Sequence, residues 1–127
     1  MTAPDFLNDV IARFGAALGL KNFALSDRGT AGLKFENGLS FRLEYAYETL
    51  SVMMLVPCER DEERMKKLLT RAHYDARRPV KMRTGYFEKS GQAFFVSRLR
   101  ETEVTLPVLE TVWNTLFAEA KDFGGLS

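Results

Sequence analysis

One cysteine and one histidine are all that this chain of 127 residues offers to thiol or imidazole chemistry. Cys58 has no second cysteine to pair with, which excludes an internal disulfide and suits a reducing compartment. With His73 as the sole imidazole, the donor set is too small for a transition-metal cluster. No local signature surrounds either residue, so a Cys-His nucleophile pair has nothing in the sequence to recommend it. Charge of one sign is also missing. Eighteen basic and 17 acidic side chains leave a net charge of +1, too little for a global field that would gather nucleic acid or an anionic bilayer. No apolar run reaches the length of a membrane span, and MTAPDFLNDV lacks the basic flank and apolar core of a secretory signal. The expectation is a cytoplasmic single domain, residues 1–127, without membrane span, metal or cofactor.

What is present is apolar supply, 46% of the residues, arranged in two periodicities. Phe6, Leu7, Val10, Ile11, Phe14, Ala17 and Leu18 recur at helical spacing, so a first helix is predicted over Thr2–Gly19. Thr2 is its expected cap, Pro4 lies in its first turn and Gly19 is its stop. Gly15, inside that helix, suggests a close contact. A short extended piece over Asn22–Asp27 and a turn at Gly29 lead into the stretch Ala31–Pro57. There AGLKF, LSFRLEY and LSVMMLVP read as three strands. Asn37-Gly38 predicts a two-residue turn with positive φ at both positions between the first two, and 46–49 a four-residue loop between the others. Leu39, Phe41, Leu43 and Tyr45 alternate with polar residues, the period of a half-buried strand. The third run departs from this, because Met53 and Leu55 are apolar on the face opposite Leu50, Val52, Met54 and Val56.

Asp61 caps a predicted second helix, Glu62 to Tyr74, with a narrow stripe of Met65, Leu68, Leu69 and Ala72. Asp75–Pro79 break it. Val80–Glu88 and Ala93–Arg100 form a second hairpin. Thr105 caps a third helix carrying Leu106, Leu109, Val112, Trp113, Leu116, Phe117 and Ala120, and Gly124-Gly125 end it. The order α-βββ-α-ββ-α defines an α+β domain: a twisted antiparallel sheet of about five strands with three helices. Met53, Leu55, Phe87 and Phe95 are the candidates for a second sheet face with incomplete cover, the second helix being the only element left to cover it. An exposed apolar face of that kind usually meets a partner. The acidic group Glu59, Asp61, Glu62 and Glu63 lacks the alternation and the mid-loop glycine of a calcium site and is explained by the start of a helix. Arg77, Arg78, Lys81 and Arg83, with Tyr74 and Tyr86 nearby, leave an alternative: a nucleic-acid-binding or regulatory domain built on the basic 77–83 segment.

Taken together, Ala17-Leu18-Gly19-Leu20, Leu25–Thr30, Leu33–Gly38, Leu43-Glu44, Leu50–Pro57, the Leu68-Leu69 helix and the closing amphipathic helix resemble the class I type III secretion chaperones, the Tir-chaperone (CesT-like) family. The resemblance spans nearly the whole chain. It departs in charge, since such chaperones are typically acidic. It implies a non-enzymatic homodimer that binds the N-terminal segment of a secreted effector in extended form. Binding would proceed by strand addition and the filling of apolar grooves, keeping the effector stable and secretion-competent. The secretion apparatus is a further implied partner, and nucleic acid is not expected. On this reading Phe14, Leu33, Phe35, Phe41, Met53 and Leu55 are assigned to the effector groove, and Met65, Leu69, Phe87 and Phe95 to the dimer interface.

Overall fold

The computed structural model describes residues 3–71 and 80–125. Three helices and five strands follow in the predicted order: α1 (Asp5–Ala17), β1 (Thr30–Lys34), β2 (Ser40–Ala46), β3 (Thr49–Pro57), α2 (Glu62–Arg71), β4 (Arg83–Phe87), β5 (Gln92–Arg100) and α3 (Leu106–Phe123), with a short 3-10 turn at Glu101–Glu103 before α3. The strands form one antiparallel sheet in the order β1-β2-β3-β5-β4. β3 is therefore central and β1 and β4 are the edges.

Side chains that share a row of this sheet share a face. Phe41, Met54, Phe95 and Thr84 form one such row, and its rings meet the helices: Phe41 lies 5.8 Å from Phe14 of α1, and Phe95 lies 5.6 Å from Phe123 of α3. This face holds the core. Leu7, Ile11 and Phe14 come down from α1, Leu109, Val112, Leu116 and Ala120 from α3, and Leu43, Leu50, Val52 and Met54 come up from the sheet. The stripe of α3 and the alternation in β2 each bury a single face, whereas in α1 Leu7, Ile11 and Phe14 go inward and the predicted stripe residues Phe6 (50% exposed) and Ala17 stay in solvent.

Local chemistry accounts for most boundaries. Asp61 Oδ1 accepts the Arg64 amide at 2.8 Å, and Thr105 Oγ1 accepts that of Val108 at 3.3 Å. At Gly19 (φ 83°) the chain turns left-handed while the Leu20 amide returns to the Gly15 carbonyl at 2.9 Å, the usual way a glycine ends a helix. Gly15 itself faces Phe23. A Cβ at this position would come within 2.3 Å of the Phe23 Cβ, so the missing side chain is what lets the Phe23 segment lie against α1.

Several boundaries move. α1 starts at Asp5 with Pro4 flanking it rather than inside its first turn; the expected cap Thr2 lies outside the described residues. Asn22–Asp27 is not a strand: Asn22 has φ 58°, and the Ser26 amide donates to the Thr30 carbonyl at 2.7 Å. β4 is only Arg83–Phe87; Val80 and Met82 leave the ladder, and Met82 joins the core instead. The end of α2 beyond Arg71, and with it Ala72, His73, Tyr74 and the Asp75–Pro79 break, lies outside the described residues.

The two tight turns exchange types. At Asn37-Gly38 only Gly38 has positive φ (93°). The Gly38 amide closes on the Phe35 carbonyl, and the Asn37 side chain accepts the Leu39 amide, giving a three-residue loop that ends in a left-handed glycine. The turn with positive φ at both central positions joins β2 to β3 instead, at Tyr47 (51°) and Glu48 (62°). Neither residue relieves the Cβ crowding of that conformation. Glu48→Gly should therefore stabilise the protein by about 1 kcal/mol, measured as an upward shift of the urea midpoint with unchanged slope; an unchanged or lower midpoint would contradict this.

The same turn is tied to the segment before α3. The Tyr45 hydroxyl donates to the Glu101 carboxylate, and the Glu101 amide to the Glu48 carbonyl at 2.9 Å. The hydrogen bond to Glu101, helped by burial, pushes the Tyr45 phenol up to about 12. A raised phenol pKa means the stabilising bond is intact below the ordinary tyrosine value of 10.0 and is lost as pH rises toward 12. Stability should fall over that window, and Tyr45→Phe should remove this part of the alkaline loss. Identical alkaline unfolding profiles for the two proteins would rule the linkage out.

Candidate functional site

Two surfaces of the sheet remain open, and the predicted site residues are divided between them. On the helix side, β1 is an edge strand. The Phe35 amide donates to the Leu39 carbonyl at 2.8 Å, and the Tyr45 amide to the Gly29 carbonyl at 2.7 Å. Odd-numbered residues of β1 thus turn their backbone groups toward β2, and even-numbered ones turn theirs outward. Ser26 closes off Thr30. Gly32 and Lys34 are left with outward N–H and C=O groups that meet no backbone partner among the described residues.

Beside this edge lies an aromatic cluster. Phe35 packs edge-on against Phe117 at 5.6 Å and lies 6.5 Å from Trp113, while Trp113 and Phe117 stack at 4.8 Å and 16°. All three rings, like Leu33 of β1, are only partly buried. Trp113 Nε1 is the single buried side-chain nitrogen or oxygen among the described residues with no hydrogen-bond partner, an unusual cost in a folded chain. In the sequence Trp113 and Phe117 belong to a core stripe. Helical spacing cannot distinguish a ring at the rim of a core from one at its centre, so no sequence signal singled them out.

The effector-groove assignment needs correction. Leu33 and Phe35 do lie at this edge. Phe14 and Phe41 are each 1% exposed and sit beneath the cluster, 5.8 Å apart, as core residues with no surface to offer. Met53 and Leu55 lie on the opposite face of the sheet, because their partners are Arg42 and Ser40 on β2 and Val96 and Phe94 on β5. Leu55 is almost wholly buried there and Met53 partly so. One groove cannot hold all six.

The dimer assignment divides similarly. Leu69 (66% exposed) and Phe87 (38%) are among the few large apolar side chains left in solvent. Met65 is partly buried against the core, and Phe95 is fully buried on the helix face. The expected place of Phe95 on the second face is one residue out of parity, since Phe95 pairs with Met54 on the helix side. Phe94 is the residue there, its ring tilted 31° against that of Phe87 at 4.7 Å. Nor does α2 cover that face. It runs beside β4 on the helix side, where the Leu68 carbonyl accepts the Thr84 hydroxyl at 2.9 Å and Arg71 pairs with Glu119 and Asp122 of α3 at 2.9 and 2.6 Å.

Cys58 is buried, donates its thiol to the Glu59 carbonyl at 3.2 Å, and has the Arg64 guanidinium 3.9 Å away. The contact with Cys58 and the nearby Asp61 and Glu59 raise the Arg64 pKa further, keeping it charged. His73, Tyr74, Arg77 and Arg78 lie outside the described residues, and of the basic segment only Lys81 and Arg83 are seen, both exposed. No group of three His, Cys, Asp or Glu side chains among the described residues is placed to hold a metal ion. No described helix is long and apolar enough to cross a membrane.

This arrangement of sheet and helices recurs in solved structures. The ExsC–ExsE complex contains a chain that superposes with a TM-score of 0.82 at 21% identity, covering 99% of this chain and 96% of that one. The HopA1–SchA chaperone–effector complex gives 0.73 at 19%, with 94% of each chain covered. The Yersinia pestis type III secretion chaperone SycH, in complex with a stable fragment of YscM2, gives 0.72 at 14%, covering 92% and 98%. At these identities the likeness is one of fold. No curated protein matches the chain in sequence. The family described as type III secretory system chaperone SycN matches residues 6–122, and the chain belongs to that family.

Proposed function

We propose that this chaperone binds the N-terminal chaperone-binding segment of a type III secreted effector in extended form, along the free edge of β1. It acts as a cytoplasmic homodimer, within the CesT-like class I group, and keeps the effector stable and competent for delivery to the secretion apparatus. The observation that carries this reading is the pairing of two kinds of surface at one place. Gly32 and Lys34 offer outward backbone groups, and Leu33, Phe35, Trp113 and Phe117 offer partly buried apolar surface beside them. A strand added at β1 gains main-chain hydrogen bonds from the first and side-chain pockets from the second. The unpaired Trp113 N–H is a donor within the same cluster. Such binding needs no catalytic residue, metal or nucleotide. Chaperone–effector pairs among the fold's neighbours support the reading, and exposed Leu69 and Phe87 support self-association through α2 and β4.

Co-expression with tagged N-terminal segments of type III effectors, followed by light scattering of the purified complex, tests this. The expected result is one segment held by two copies of the 14.4 kDa chain. Failure to retain any effector segment would overturn the function. A complex with a single copy would overturn the homodimer alone.

A further inference from the structure

On the helix side of the sheet, between the last residues of β5 and the first turns of α3, lies a cavity of about 400 Å³. It sits at the opposite end of β4 from Phe87, since β4 begins at Arg83, opposite Val96, and runs away from it. Val80, Leu99, Pro107, Val108 and Val112 give it an apolar lining. Among them is Ser97, the one buried polar residue of the described core (5% exposed). Its hydroxyl meets no hydrogen-bond partner among the described residues. Trp113 Nε1 is nevertheless the only unpartnered side-chain atom that is wholly sealed. The Ser97 hydroxyl therefore keeps an opening, and the space it opens onto is this cavity.

Two further donors stand beside it. The Gly91 carbonyl accepts the Cys58 amide at 3.0 Å, so odd-numbered residues of β5 turn their backbone groups toward β3 and even-numbered ones toward β4. Arg98 is the first even residue past the end of β4, and its N–H and C=O meet no backbone partner among the described residues. Lys81 is exposed and makes no ion pair with any described residue. The other polar groups of the lining are engaged. Thr111 donates its hydroxyl to the Pro107 carbonyl at 2.9 Å, and the Glu103 carboxylate accepts the Arg100 amide at 3.1 Å. That last bond also leaves the open edge of β5 one residue long, too short to seat an added strand, so the cavity suits a small molecule rather than a peptide. Hydroxyl, amide and ammonium together call for an anionic head. With one cation present and Glu103 near, a single negative charge fits better than a phosphate.

We propose that this cavity binds a small carboxylate with an apolar body, of the size of a medium-chain fatty acid. The chain lies on Leu99, Val108 and Val112. The carboxylate accepts from the Ser97 hydroxyl and the Arg98 amide and pairs with Lys81. Burying the chain supplies affinity, and filling the empty valences of Ser97 and Arg98 supplies selectivity for the acid. Effector binding at β1 plays no part in this, so failure of either leaves the other standing.

The test titrates the full chain with octanoate, octanol and octylammonium, each below its micellar range, and follows backbone amide shifts by NMR. Octanoate should bind saturably and move the amides of Ser97, Arg98, Leu99 and Val108. Octanol should bind about tenfold more weakly, and octylammonium should not bind. Ser97→Val should lower octanoate affinity by roughly tenfold and leave octanol nearly unaffected, without lowering the thermal midpoint, because the hydroxyl it removes has no partner in the free protein. Lys81→Gln should lower octanoate affinity by roughly three- to fivefold. Ser97→Ala serves if the valine variant fails to fold. Equal binding of acid and alcohol would reduce the site to an apolar hollow and overturn the proposal. Full octanoate affinity in the Ser97 and Lys81 variants would overturn it as well, as would shifts confined to other amides. Absence of saturable binding, with the cavity closed by a second copy in the assembled protein, would do the same.

Discussion

Phe41→Ala should lower the free energy of unfolding by about 3–5 kcal/mol, a large share of what a domain of this size has to lose. The ring is 1% exposed. It packs 5.8 Å from Phe14 and 6.5 Å from Trp113, so it links β2 to both long helices. Its neighbours across the strands are Leu33 and Met54. Truncation removes the transfer free energy of the ring and leaves a void that rigid neighbours on three elements cannot close. Denaturant unfolding measures this directly. The same experiment decides what kind of residue Phe41 is, because a groove-lining ring would lose binding on truncation and leave the midpoint nearly unmoved. A stability change below about 1 kcal/mol would contradict the core assignment.

Lys34→Pro should have the opposite profile, with little effect on stability and a fall in effector-segment affinity of roughly tenfold to a hundredfold. The Lys34 amide points away from β2 at an open edge. Proline is tolerated at such a position because no ladder bond is lost. An added strand, however, would lose a main-chain hydrogen bond and meet the pyrrolidine ring. Lys34→Ala is the control, keeping the amide and removing only the charge. If the proline variant binds as wild type while remaining folded, strand addition at β1 is wrong. If the alanine variant loses as much, the lysine side chain rather than the backbone carries the contact.

Element order was open to sequence reading because each segment advertises itself locally. Asp61 and Thr105 announce helix starts by hydrogen bonds made within three residues. Gly19 ends α1, and the alternation in β2 sets its buried face by period alone. What was illegible depends on contacts between segments. β5 carries Phe94, Phe95 and Val96 in succession, so apolarity cannot say which ring faces inward; the register with Met54 settles it as Phe95. The same limit put Met53 and Leu55 in one groove with Phe14 and Phe41, four residues that the sheet separates. Asn37-Gly38 carried the strongest signal for a two-residue turn, yet the loop takes one residue more and the left-handed pair falls on Tyr47 and Glu48. There the pairing of Ala46 with Thr49 overrides a modest local cost. The Trp113–Phe117–Phe35 cluster joins α3 to the end of β1, some eighty residues earlier, and no window of sequence contains it.

The most direct measurement of the central claim is amide hydrogen exchange on the chain alone and in complex with an effector N-terminal segment. The account expects the Gly32 and Lys34 amides to exchange quickly in the free protein and to become strongly protected in the complex, with the odd-numbered amides of β1 already slow in both. Formation of a stable complex that leaves Gly32 and Lys34 exchanging at their free rates would show that the effector is held elsewhere and would contradict the account.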